Sequence, residues 1–74
     1  MLFFVWYDDS PKKLVADKIE DAITAYVARF ARRPSLVLVN LADHMELPDM
    51  LVRTERTVQP NSFWLGHEET VDIA

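Results

Sequence analysis

The chain has 74 residues, 50% hydrophobic and 27% charged, with a formal net charge of −4 and no cysteine. This is the composition of one small globular domain; it excludes a disordered chain, a disulfide framework and a thiolate zinc site. A single core of this size rarely supplies more than about 3–5 kcal/mol, so a domain without staples is expected to lean on a second chain.

The first element is "LFFVWY", residues 2–7. Six apolar residues without alternation predict a strand covered on both faces. The run is too short to span a bilayer, has no basic leader and ends at Asp8 and Asp9. With the lack of cysteine, this makes a cytoplasmic chain the expectation.

A helix is predicted from Pro11 to about Arg33, with Ser10 as its N-cap and Pro11 in its first turn. Val15, Ile19, Ala22, Ile23, Tyr26, Val27 and Phe30 fall three or four residues apart and form one apolar stripe. Arg29, Arg32 and Arg33 crowd the C-terminal end before Pro34, where positive charge suits the helix dipole. About 22 residues give roughly 33 Å of helix.

"SLVLVN", residues 35–40, predicts a second buried strand, with Asn40 capping a short helical turn in "LADHME". "LVRTERTV", residues 51–58, predicts a third strand, and its charges on both faces suit a sheet edge. "QPNS" predicts a longer loop around a type I or II turn, because Pro60 fixes a negative φ and cannot hold the first central position of a primed hairpin turn. "FWLG" predicts a fourth strand, and residues 67–74 an acidic tail that frays or extends it. The expected fold is one α+β (or small α/β) domain over residues 1–74. Its element order is β-α-β-β-β, with about four strands in a mixed sheet and one long helix on one face.

One helix covers one face of a sheet, yet three of the predicted strands are apolar on both. Phe63 and Trp64 are neighbours, so they point to opposite faces. The second face would expose several hundred Å² of apolar surface, more than most soluble monomers carry. Two arrangements bury it: a second copy of the chain, or the loop 41–50 with Met45, Leu47, Met50 and Leu51 folded beneath the sheet. The first is the favoured reading, with Phe4, Trp6, Phe63 and Trp64 as expected interface residues.

Chemistry-bearing residues are sparse. Asp43, His44 and Asp49 follow a buried strand and are candidate metal ligands if the loop curls. His67-Glu68-Glu69 opens like a zinc-protease helix, but Val71 stands where the second histidine belongs. A lone glycine, Gly66, excludes a phosphate-cradling loop or a dinucleotide fingerprint. No catalytic or cofactor-binding residue is assigned. Residues 10–33 hold six Lys or Arg against three Asp or Glu. Within that segment Lys12, Lys13, Arg29, Arg32 and Arg33 are candidates for an anion or nucleic-acid face.

The segments "RRPSLVLVNLAD" and "VQPNSFWLG" resemble a set of small prokaryotic αβ proteins of uncharacterised activity. The resemblance rests on Asn40, Asp43, Pro60, Asn61, Phe63, Trp64 and Gly66. It implies a compact αβ unit and no substrate. The uncovered sheet face makes a non-catalytic, homo-oligomerising interaction or assembly module the expected function, through that face or an edge strand. The alternatives are a small binding or regulatory module, using the basic residues on nucleic acid, and a metal-dependent enzyme.

Overall fold

A computed structural model of the chain describes residues 3–67. Four strands and one helix form an α+β fold, with β1 at Phe4–Tyr7, α1 at Val15–Phe30, β2 at Leu36–Val39, β3 at Leu51–Thr54 and β4 at Ser62–Gly66. A single 3₁₀ turn, Leu41–Asp43, follows β2. The expected acidic tail, beyond His67, lies outside the described residues.

The sheet order is β1-β4-β2-β3. Strand β4 is antiparallel to both of its neighbours, and β2 and β3 are parallel. Hence β1, β2 and β3 run the same way and β4 runs against them. The β1-α1-β2 unit read from the sequence is present, but β4 is inserted between its two strands. The charged strand β3 is an edge strand, as its two-faced polarity predicts. It is half the expected length, because the chain leaves the sheet after Thr54 to cross the end of β2. Glu55 N–H donates to Val39 O at 2.9 Å as it does so.

Helix α1 has 16 residues, about 24 Å, and is shorter than expected at both ends. Ser10 is not its N-cap. The Ser10 N–H donates to Asp8 Oδ1 at 3.0 Å, and residues 10–13 form a turn that delays the helix to Val15. Leu14 then occupies the cap position with no side-chain bond. At the other end Ala31 adopts the left-handed conformation, φ 58°, and its N–H donates to Val27 O at 2.8 Å. That geometry closes the helix three residues ahead of Pro34.

The core lies between α1 and one face of the sheet. Ile19, Ala22, Ile23 and Tyr26 from the helix meet Val37, Val39, Phe63 and Leu65. The register places Trp6, Phe63 and Val39 in one row and Phe4, Leu65, Val37 and Val52 in the next. Phe4 contacts Tyr26 and Phe30 edge-on, both at 6.0 Å between ring centres. Of the two neighbouring aromatics in β4, Phe63 is thus the core residue. Met45, Leu47 and Met50 also pack against this helix-side core. The loop 41–50 therefore thickens the side that α1 already covers, and the expected alternative in which it lines the opposite face does not occur.

Candidate functional site

Among the described residues, the sheet face turned away from α1 carries several exposed apolar side chains. The row Val5–Trp64–Leu38–Arg53 crosses all four strands on that side. Phe3 reaches Trp64 at 5.9 Å between ring centres. Leu36 and Ser62 are buried there, and Leu38 and Trp64 are half-buried. Val5, Tyr7 and Leu51 remain 53%, 59% and 47% exposed. Val5 and Tyr7 lie on β1 beside Trp64, and Leu51 on the opposite edge strand β3, and these half-exposed side chains line an open sheet face and not a ligand cavity.

The expected interface set divides between the two faces. Trp64 lies on the open one. Phe4, Trp6 and Phe63 point toward the helix, Phe63 with no exposure at all. The strand period of two separates them, and an unalternating apolar run hides which half faces which way.

At the edge where β1, β2 and β3 end, a second feature is a network of polar side chains. Asn40 accepts from Ala42 N–H at 2.9 Å and donates through Nδ2 to Val58 O at 3.0 Å. Asp43, buried, accepts from Asn61 N–H at 2.7 Å. Asn61 accepts from Asp8 N–H on its carbonyl at 3.0 Å and from Lys18 Nζ on its side chain at 3.2 Å. One residue therefore ties together the end of β1, the helix, the 3₁₀ turn and the start of β4. It holds φ 70° at the third position of the turn Gln59–Ser62, closed by Ser62 N–H to Gln59 O at 3.1 Å. This is the pattern of a type II turn, in which asparagine tolerates positive φ.

Lys18 was absent from every sequence-based site. It is 95% buried, and its position between Val15 and Ala22 on the apolar stripe was the signal that could have found it. Asn40, Asp43 and Asn61, which carry much of the resemblance, all work here as structural ties.

The metal candidates do not converge. Asp43 is committed to Asn61, His44 is exposed, and exposed Asp49 lies 3.7 Å from Arg33 Nη2. Among the described residues no group of three His, Asp or Glu could hold a metal ion. An open cleft of about 190 Å³, lined by His44, Glu46, Leu47, Met50, Leu51 and Val52, is smaller than typical ligand pockets of roughly 300 Å³ and above.

The five basic candidates do not form one face either. Lys12 and Lys13 precede the helix, and Arg29, Arg32 and Arg33 lie at its far end, about 24 Å away along its axis. Lys13 is paired with Asp21 and lies 3.5 Å from Asp8 Oδ2. The Asp21 hydrogen bond raises the Lys13 pKa. Hydrogen bonds from the side chain and backbone of Ser10, with Lys13 nearby, hold the Asp8 carboxyl below its ordinary value. Arg29 stacks over Phe30 at 5.8 Å. Among the described residues no helix is long and apolar enough to cross a membrane. Comparison with protein-family models, with curated proteins and with solved structures returned no match.

Proposed function

We propose that the protein is an interaction module that associates with a second copy of itself, with no reaction of its own. The observation that carries this reading is the sheet face away from α1: Val5 and Tyr7 beside Trp64, and Leu51 on the opposite edge strand, are half-exposed there. A core limited to about 3–5 kcal/mol gains most from covering such a face. A second copy suits it because the face is nearly uncharged, with Arg53 as its single charged side chain on the strands. Two such faces meet without opposing rows of like charge. A cysteine-free chain fits a reducing cytoplasm.

Light scattering on the purified chain tests the reading. The expected mass exceeds the 8.6 kDa of one chain and falls on dilution. Leu51→Lys alters an exposed position without touching the core and lowers that mass while the circular dichroism spectrum stays unchanged. A folded wild-type chain at monomer mass at every concentration overturns the proposal.

A further inference from the structure

Among the described residues, the outer edges of β1 and β3 pair with no further strand, and the two edges differ. Strand β3 and its continuation carry Arg53, Glu55 and Arg56, the charges with which edge strands discourage pairing. Strand β1 has no charge, proline or glycine between Phe3 and Tyr7. Apolar groups flank it on both sides of the sheet. Phe4, Trp6 and the 42%-exposed Phe30 lie on the helix side, and Phe3, Val5 and Tyr7 on the other.

The hydrogen-bond phase of β1 shows which backbone groups face outward. Asp8 N–H donates to Asn61 O, and the β1–β4 register, extended one step beyond Tyr7 opposite Ser62, sets Asp8 against Asn61. Bonded pairs alternate along an antiparallel ladder. Phe4, Trp6 and Asp8 therefore turn their N–H and C=O toward β4, and Phe3, Val5 and Tyr7 turn theirs to the free edge.

We propose that β1 pairs antiparallel with β1 of a second copy about a twofold axis at Val5, joining two sheets into one of eight strands. Val5 then faces Val5 of the second copy, and Phe3 faces Tyr7 of the second copy. The outward groups of these residues exchange six backbone hydrogen bonds. Phe4 stands opposite Trp6 of the second copy on the helix side, so each residue keeps its face and every facing pair is apolar.

Two features of the chain fit this partner. The antiparallel arrangement sends the two Asp8–Asp9 pairs to opposite ends of the joint, away from each other. Helix α1 packs over β4, so three strand spacings separate the two helices, about 14 Å. Packed helices sit roughly 8–10 Å apart. The helices therefore do not clash, and the gap between them receives Phe4, Trp6 and Phe30 from both copies. The inference rests on the self-association reading but uses a different surface, and the two open faces become one continuous face twice as wide.

Amide exchange followed by NMR, with light scattering on the same samples, tests the joint. Among the described residues, the amides of Val5 and Tyr7 point away from β4 and have no strand partner. They are expected to become protected as the associated fraction rises with concentration. The chain made by chemical synthesis with N-methylated Val5 keeps every side chain and loses one outward N–H. It is expected to remain folded by circular dichroism at monomer mass, or at half the wild-type mass if open faces also stack. Val5→Pro is the genetic equivalent, since edge strands accept proline where the N–H points outward. If the associated protein leaves the Val5 and Tyr7 amides unprotected, or the folded N-methyl chain keeps the full mass, the joint is wrong. Loss of association with Leu51→Lys in that same case leaves the open-face reading standing. A wild-type chain that is monomeric throughout overturns both.

Discussion

Asp43 gives the sharpest test of how this small fold is held together. The residue is 7% exposed and its carboxylate accepts the Asn61 N–H at 2.7 Å, and Asn61 sits at positive φ while anchoring three other elements. Asp43→Ala removes a hydrogen bond to a charged group, worth about 1.5–3 kcal/mol, and leaves the Asn61 N–H without its acceptor. A loss of about 3 kcal/mol follows, set against a total of roughly 3–5 kcal/mol for a core of this size. With a urea m-value near 1 kcal/mol/M, the midpoint falls by about 3 M. Asp43→Asn keeps an acceptor oxygen in the same place and should cost only about 1 kcal/mol. Urea unfolding, followed by circular dichroism and by the fluorescence of Trp6 and Trp64 at fixed protein concentration, measures both. If Asp43→Ala is as stable as the parent, the network does not hold the turn. If Asp43→Asn is as damaging as Asp43→Ala, the charge and not the accepted N–H is what matters.

Other substitutions probe other links. Ala31→Gly relieves a left-handed alanine at the helix terminus and should add about 0.5–1 kcal/mol, seen as a melting point raised by about 4 °C; a lower one would remove the strain argument. Phe63→Ala empties a site with no exposure and costs about 3–5 kcal/mol, enough to abolish the cooperative thermal transition, and a folded variant would displace Phe63 from the centre of the core. The Asp8 carboxyl, held below its ordinary value of 3.8, contributes stability that is complete above that value and lost as pH falls through its lower folded pKa. Lys13, raised above 10.5, contributes stability present below that value and lost as pH rises through its folded pKa. Ser10→Ala should move the Asp8 titration upward in carboxyl NMR, and an unchanged titration would refute the assigned cause.

Much of this fold was legible in the residues. The steps of three and four from Val15 to Phe30 define the helix, apolar β-formers define the strands, and Arg53 with Arg56 marks the edge at β3. The Pro60-Asn61 pair predicts the turn that closes there, because proline sets one φ and asparagine tolerates the other. Asn40 as the cap of the 3₁₀ turn followed from its side-chain oxygen alone.

Strand order was not legible, because pairing depends on contacts between segments far apart in the chain. Nothing in β4 announces that it enters between β1 and β2. The facing of Phe4, Trp6, Phe63 and Trp64 was hidden for a related reason: period two assigns alternate residues to opposite sides, and only the position of α1 decides which side is inside. The placement of Met45, Leu47 and Met50 on the helix side, and the convergence of Lys18, Asp43 and Asn61, likewise needed the assembled sheet. Local chemistry thus determined the elements and their caps. The tertiary structure decided which face of the sheet the helix covers, because one 16-residue helix packs on a single side and the loop after β2 folds toward that same side.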